Sequence, residues 1–252
     1  MKRFAPMAAL FGVALAIGFA PVAAQEEAAD PYVRESYWQI NFADLEGWIS
    51  TYNDYVVPVL AGMQEAGTIT GYSAGQHNTG GKYNFRFVLI VPDWASIDTA
   101  LEALNSGMAA AGAPDFSEMI QAHEDHIWRL TDLYQSEGGP PNEYIYLAKF
   151  NVRQSELGMW NTYFDEVWKP ALMGATEDGL LNGFAVEQHE HGGAMNWQIL
   201  LLSPDWDSLD DAWAAQFAAF DASGERWDAM ARAFTSHEDD IWATISVETG
   251  NN

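Results

Sequence analysis

An internal repeat constrains the fold of this chain more than any other sequence feature. Segments on either side of residues 138–142 match each other in one order, with a shift of 112 residues that becomes 114 further downstream. Matches this dense predict two copies of one unit. We call them module 1 (residues 32–137) and module 2 (residues 143–249), joined by a Gly-Pro linker. The matched residues include Gly71 and Gly183, His77 and His189, Asn84 and Asn196, Trp94 and Trp206, His123 and His237, and Trp128 and Trp242.

The pattern within each module predicts the element order β-α-β-β-α-β. In module 1, residues 32–42 predict a strand, and residues 43–66 predict a helix that Pro58 is expected to kink. Residues 69–77 and 83–91 predict two strands around a hairpin signal. A helix from Asp93 or Ser96 to about Met108, a helix over residues 116–123 and a strand over residues 127–134 complete the module. This order is the ferredoxin-like arrangement.

The third predicted strand is apolar on both of its faces. Phe85, Phe87 and Leu89 alternate with Val88 and Ile90, whereas a solvated sheet face carries polar residues. Helices cover one face of a ferredoxin-like sheet, so a second layer must cover the other. We expect that layer to be the sheet of the other module.

The element order, the hairpin and the Pro-Asp-Trp helix entries at residues 92–94 and 204–206 together resemble the dimeric α+β barrel superfamily. The resemblance implies an α+β fold in which two tandem ferredoxin-like modules pack their sheets as one barrel within the chain. It also implies a ligand between the helices and the open sheet face.

Members of this superfamily include cofactor-free monooxygenases, small stress-response proteins and duplicated haem enzymes such as chlorite dismutases. The haem branch has a proximal His on a late helix and a distal Arg, and we match no such pair here. We therefore predict no cofactor, while haem stays open.

The N-terminal segment predicts export. Lys2 and Arg3 precede an apolar run over residues 8–20, and Val22-Ala23-Ala24 precede Gln25. This pattern predicts a signal peptide over residues 1–24 and a periplasmic or secreted protein. The chain has 11 basic and 36 acidic residues, a net charge of −25, and no cysteine. Such charge disfavours nucleic acid and anionic membrane surfaces as partners, and thiolate chemistry is excluded.

The predicted hairpin carries the first group of candidate binding residues. A two-residue turn at Gly80-Gly81 pairs His77 with Asn84 and Gly75 with Arg86, which places His77, Asn84 and Arg86 on one sheet face. Such a row suits a pocket with a few orienting polar groups. Alternatively, the row lies at the solvated mouth of the hairpin. The same positions of module 2 hold His189, Asn196 and Gln198.

A His-Glu-Asp sequence occurs in both modules and supplies the second group of candidates. His123 and Asp125 in module 1, and His237 and Asp239 in module 2, stand before Ile-x-Trp at a predicted helix-to-strand junction. They suit either a base or metal ligand beside a carboxylate, or a structural junction. His189 and His191 share a strand face, but two ligands alone do not make a metal site, so no metal is predicted.

Three functions remain open at this level. We prefer a protein that binds a small, largely apolar or aromatic ligand in each module. A cofactor-free monooxygenase or isomerase with His bases is the first alternative, and a structural or interaction protein without a ligand is the second. P-loop, dinucleotide and nucleophile-elbow motifs do not occur in the sequence. The chain is expected to be a monomer with an intrachain pseudo-dimer, or a homodimer.

Overall fold

The computed structural model describes residues 30–78, 82–136 and 139–249, and both modules have the predicted order of elements. Module 1 contains β1 (Tyr32–Ile40), α1 (Leu45–Thr51), α2 (Val57–Glu65), β2 (Gly71–His77), β3 (Phe85–Val91), α3 (Ser96–Ala110) and β4 (Ile120–Gln135). Module 2 contains β5 (Tyr144–Val152), α4 (Leu157–Tyr163), α5 (Lys169–Glu177), β6 (Gly183–His191), β7 (Trp197–Ser203), α6 (Trp206–Ser223), α7 (Glu225–Ala231) and β8 (Phe234–Thr249).

The eight strands form one closed antiparallel barrel in the order β1-β3-β2-β8-β5-β7-β6-β4. Each module contributes four neighbouring strands, and the modules join where β2 pairs with β8 and β4 pairs with β6. Every strand therefore has two neighbours, and no sheet edge is left unpaired. The predicted fold class, α+β with two ferredoxin-like sheets packed as a barrel within one chain, is confirmed.

Apolar side chains from both sheets meet inside the barrel. Val88 and Ile90 of β3 pack there with residues of module 2 such as Leu147 and Leu200. Phe85, Phe87 and Leu89 face the other way and pack under the helices of module 1. The apolar character of both faces of β3 therefore follows from the barrel, as expected.

The first helical segment of each module contains a π-helical turn. It spans Tyr52–Val56 in module 1 and Phe164–Trp168 in module 2, directly before α2 and α5. Pro58 and Pro170 follow near the start of the next helix. Proline lacks an N–H and its ring excludes the carbonyl four residues back, which opens the preceding turn. The kink predicted at Pro58 takes this form.

The helix predicted over residues 116–123 is wrong. A short 3-10 turn spans Ser117–Met119, and β4 begins at Ile120. Residues 120–129 of β4 pair with β1, and residues 127–135 pair with β6, so strand pairing on both sides overrides the local helical pattern. His123 and Asp125 therefore lie within a strand rather than at a helix-to-strand junction.

Some predicted features lie outside the described residues. These are the signal peptide over residues 1–24 and the Gly80-Gly81 turn. Within the described part of the chain, no helix is long and apolar enough to cross a membrane.

Candidate functional site

A cavity of about 300 Å³ lies between the helices and the outer sheet face of module 1. Its walls are largely apolar, and Arg34, Thr51 and Asn105 are its polar lining residues. Such a space, apolar with a few polar groups, is typical of a small-molecule site. The apolar lining residues are Trp38, Trp48, Tyr52, Val56, Phe85, Phe87, Leu101, Leu104, Met108 and Phe116.

Strand alternation and the π-helical turn together build this cavity. Trp38 and Phe85 point outward from β1 and β3, and Trp48 packs over both, with ring centroids 4.8 Å and 5.5 Å away. Val56 closes the π-helical turn, and Leu104 faces the cavity from α3. The aromatic rings fix one another edge to face, so the walls are in place before a ligand arrives.

Two indole N–H groups in the cavity wall are unpaired. Nε1 of Trp38 and Nε1 of Trp48 are buried and find no hydrogen-bond partner among the described residues. A buried unpaired donor costs about 1–3 kcal/mol, and an acceptor atom brought within hydrogen-bond distance of either nitrogen would remove that cost. Trp160, the counterpart of Trp48, is also unpaired, whereas the counterpart of Trp38 is Phe150. Trp38 is therefore the donor particular to module 1.

A hydrogen-bonded cluster adjoins the cavity on the same sheet face. Arg34 donates to Asp125 Oδ2 and to Ser36 Oγ, each at 2.7 Å, and Ser36 Oγ donates to Asp125 Oδ1 at 2.6 Å. His123 Nε2 lies 2.9 Å from Asp125 Oδ1, and its ring meets the Trp38 ring edge to face at 5.3 Å. The structure thus brings His123 and Asp125 together, and Asp125 fixes the orientation of both Arg34 and His123.

The equivalent space in module 2 is filled by a larger side chain, Trp168, and its hydrogen-bond partner Gln216. Trp168 replaces Val56, and Gln216 replaces Leu104. Trp168 Nε1 donates to Gln216 Oε1 at 2.7 Å, and the Trp168 ring lies 5.7 Å from that of Trp197. We expected a ligand pocket in each module, but these contacts occupy the corresponding volume of module 2.

His237 and Asp239 repeat the pair of module 1 in a different setting. His237 Nε2 lies 2.9 Å from Asp239 Oδ1, and the His237 ring stacks on Phe150 at 4.4 Å. Asp239 accepts a hydrogen bond from Tyr146 Oη at 2.5 Å, where module 1 has Arg34. The pair therefore recurs, but a tyrosine stands in place of the arginine, and the space that corresponds to the module 1 cavity is filled.

The predicted register of the hairpin strands is confirmed, but its three candidate side chains do not act together. Gly75 pairs with Arg86, and the His77 N–H donates to Asn84 O at 3.2 Å. Asn84 turns its amide to the backbone of Ile40, with both hydrogen bonds at 2.8 Å. Asn196 does the same at Val152. Both asparagines thus bind the ends of neighbouring strands together.

Arg86 lies inside the barrel in a buried ion pair that the sequence analysis missed. Arg86 Nε donates to Glu35 Oε1 at 2.5 Å, and Trp128 Nε1 donates to Glu35 Oε2 at 3.0 Å. Arg86 and Glu35 have no exposed surface. Burial raises the pKa of Glu35, but the positive charges of Arg86 and Lys149 outweigh it and bring that pKa to about 2. The available signal was Glu35, a charged residue on the strand face that also carries Val33 and Tyr37.

Gln198 lies in the barrel too, where it donates to the carboxyl of Glu187. Burial, with a smaller contribution from Glu35, raises the pKa of Glu187 to about 8. Glu187 is therefore a neutral acid near neutral pH. The position equivalent to Glu187 in module 1 is Gly75, so the repeat gave no signal for it.

Because the pKa of Glu187 is raised, the free energy of unfolding is expected to fall as pH rises from about 5 to about 8. The unfolded chain releases the Glu187 proton near its ordinary pKa, whereas the folded chain holds it up to about 8, so protonation favours the folded state at low pH. Glu187→Gln stays neutral throughout. The variant is expected to gain on the order of 2–4 kcal/mol relative to wild type across that window. Urea unfolding at several pH values measures this, and parallel curves for the two proteins would contradict it.

The remaining histidines are dispersed along the barrel. His77 Nε2 lies 3.1 Å from Asp240 Oδ1 at the barrel mouth. His189 Nε2 is buried and unpaired among the described residues, whereas His191 is exposed. No group of three or more His, Cys, Asp or Glu residues suited to a metal ion occurs in the described part of the chain.

Solved structures of other proteins share this architecture. A proposed monooxygenase from Fusobacterium nucleatum has a TM-score of 0.62 at 12% identity, with 88% of this chain and 95% of the other covered. A proposed monooxygenase from Lactobacillus acidophilus has a TM-score of 0.59 at 8% identity, with coverages of 87% and 96%. A haem-binding protein from Thermus thermophilus has a TM-score of 0.51 at 15% identity, with coverages of 85% and 91%.

These proteins share with this chain the fold of a closed antiparallel barrel with helices packed on the outside. No family model and no curated protein matches the sequence. At these identities, the similarity to solved structures establishes the fold alone.

The residues of this chain do not fit the haem site that the superfamily resemblance implies. That site needs a proximal His on a helix, whereas all six histidines of this chain lie on strands. No histidine is among the described residues that line the module 1 cavity. Arg34 is present there, but it is engaged with Asp125. We therefore derive no chemistry through haem.

Proposed function

We propose that this is an exported small-molecule-binding protein whose ligand site is the module 1 cavity between helices and sheet. The observation that carries the proposal is the unpaired N–H of Trp38 in the wall of an open apolar cavity. The ligand is largely apolar, contains an aromatic ring and has an acceptor oxygen that faces this N–H. Its class follows from the walls, since aromatic rings bind other rings edge to face or stacked.

The size of the cavity limits the ligand. About 300 Å³ is at the small end of the range for ligand pockets, which suits a molecule of one or two fused rings. Arg34 does not call for an anionic ligand, because Asp125 already neutralises its charge. A neutral carbonyl or hydroxyl compound therefore fits better than a carboxylate.

Trp38→Phe tests this site directly, because Phe150 is what module 2 carries at that position. The change keeps the ring and removes the N–H. We expect Kd for a two-ring ketone or quinone to rise about threefold to tenfold, while Kd for the hydrocarbon of the same shape stays unchanged. Titration calorimetry with matched compound pairs measures both, after a thermal-shift screen has selected the tightest pair.

Trp160→Phe in module 2 is the matched control and is expected to leave both affinities unchanged. The proposal fails if no aromatic compound raises the melting temperature. It also fails if Trp38→Phe weakens binding of the hydrocarbon as much as binding of the oxygenated compound.

A cofactor-free monooxygenase is the second candidate, favoured by the His123–Asp125 pair beside Trp38. Two proteins of the same fold are described as proposed monooxygenases. His123, oriented by Asp125, adjoins the cavity beside Trp38. It would remove a proton from a phenol or ketone bound with its acidic group at that end of the cavity, so that the carbanion or phenolate reacts with oxygen.

Oxygen uptake with a bound panel compound tests this candidate. His123→Ala is expected to lower turnover about 100-fold with little change in Kd, and His237→Ala in module 2 is expected to leave turnover unchanged. If no compound that binds gives oxygen uptake, the monooxygenase candidate is excluded and only the binding function remains.

A further inference from the structure

A second cavity, of about 350 Å³, opens at one end of the barrel. It shares no lining residue with the module 1 cavity. Trp242 Nε1 and His126 Nδ1, both in its wall, are buried and unpaired among the described residues. The other lining residues are Tyr37, His77, Lys82, Tyr83, Glu124, Lys149, Glu238, Asp239 and Asp240.

Lys149 is the buried amine of this cavity and is 5% exposed. Its Nζ lies 2.5 Å from Tyr37 Oη and 4.0 Å from the centre of the Tyr37 ring. Among the described residues, no carboxylate oxygen lies within ion-pair distance of Nζ. A buried ammonium without a carboxylate partner is costly, so the free-amine fraction at Lys149 is larger than at an exposed lysine.

Lys149 lies opposite Tyr37, the residue at its own position in module 1. Tyr37 and Lys149 are 112 residues apart, which is the repeat shift, and they touch inside the barrel. Two identical chains would bring two lysines or two tyrosines together at this point, and two lysines repel. A tandem chain permits one lysine beside one tyrosine, which yields a single amine paired with a hydroxyl.

We propose that Lys149 is a nucleophile that binds a small uncharged or cationic aldehyde as an imine in the barrel-mouth cavity. The Nζ lone pair forms a bond to the carbonyl carbon, and one amine proton passes to the carbonyl oxygen to give a carbinolamine. The C–O bond then breaks, that oxygen leaves as water with a second proton, and the C=N bond forms. No oxidant or reductant takes part.

Tyr37 is placed to assist the loss of water. Its hydroxyl lies at hydrogen-bond distance from Nζ and can donate to the carbinolamine oxygen. Burial, with Glu35 as a further cause, raises the pKa of Tyr37 well above its usual range, so the hydroxyl keeps its proton. Acidic residues at the rim, such as Glu238 and Asp239, disfavour an anionic carbonyl compound.

Several groups set the charge of Lys149. Burial lowers its pKa most, Glu35 and then Asp240 oppose this, Arg86 adds to the lowering, and Glu238 opposes it weakly. The net direction is downward, so more free amine is present near neutral pH than at an ordinary lysine.

Reductive trapping on the intact protein tests the proposal. The sequence holds four lysines, at positions 2, 82, 149 and 169. Benzaldehyde with cyanoborohydride at about pH 7, followed by peptide mapping, is expected to modify Lys149 severalfold faster than exposed Lys82 or ion-paired Lys169, because the lowered pKa of Lys149 leaves more of it as free amine. Glyoxylate, an anion, is expected to modify these lysines without a preference for Lys149.

Variants separate the imine from general reactivity and from the module 1 site. Tyr37→Phe is expected to slow trapping at Lys149, with the adduct still located at Lys149 by peptide mapping. Lys149→Met is expected to abolish the fast adduct. Trp38→Phe is expected to leave trapping unchanged, so a failure of the module 1 proposal is recognised separately. Modification of Lys82 and Lys169 with Lys149 unmodified in wild type overturns the proposal, and that result needs no variant to fold.

Discussion

Arg86→Met is expected to lower the free energy of unfolding by about 3–5 kcal/mol. Arg86 and Glu35 are both fully buried and joined at 2.5 Å. Without the guanidinium, Glu35 either remains as an uncompensated buried charge or takes up a proton, and both outcomes penalise the folded state. Urea unfolding followed by far-UV circular dichroism measures the loss.

Module 2 supplies the matched control. It carries Leu147 and Gln198 where module 1 carries Glu35 and Arg86. The double variant Glu35→Leu/Arg86→Gln removes both charges at once and is expected to recover most of the stability that Arg86→Met loses. A loss below about 1 kcal/mol for Arg86→Met would show that water replaces the guanidinium, contrary to what the full burial of the pair predicts.

Val56→Trp/Leu104→Gln is expected to abolish ligand binding in module 1. The double variant installs the pair that fills module 2, where the Trp168 indole donates to Gln216 at 2.7 Å. An indole in place of an isopropyl group projects into the cavity of about 300 Å³ and, hydrogen-bonded to the new glutamine, blocks the ring-binding space between the aromatic walls. We expect Kd for the best panel compound to rise at least about 100-fold, equivalent to about 3 kcal/mol, as measured by titration calorimetry.

The reverse exchange in module 2, Trp168→Val/Gln216→Leu, is the control for an indirect effect. It opens a void in a packed aromatic cluster, so stability is expected to fall by about 3–5 kcal/mol. Affinity at module 1 is expected to stay within about twofold of wild type. Unchanged binding by the filled module 1 variant, with folding intact by circular dichroism, would place the ligand elsewhere.

Local sequence patterns predicted most of the architecture. The repeat, the apolar alternation of β3 and the two-glycine hairpin predicted the two modules, the covered sheet face and the register of His77 with Asn84. The pattern failed at β4, where residues 116–123 read as helical. Their pairing with β1 is a long-range interaction that a local window does not contain.

The candidate site was harder to predict, because it depends on packing between distant elements. The hairpin polar row pointed into the barrel, whereas the module 1 cavity forms where α3 and the π-helical turn meet the outer sheet face. The signal for it was a difference between the copies, in size for Val56 against Trp168 and in polarity for Leu104 against Gln216. This difference could be interpreted only after the structure showed that the two positions face each other.

A crystal structure of the complex with the tightest panel compound would show whether the module 1 cavity is the ligand site. We expect one ligand per chain between Trp38, Trp48 and Leu104, with an acceptor atom at hydrogen-bond distance from Trp38 Nε1. We also expect that Trp168 and Gln216 still fill the equivalent space of module 2. A ligand bound only in module 2 or only inside the barrel would contradict this expectation.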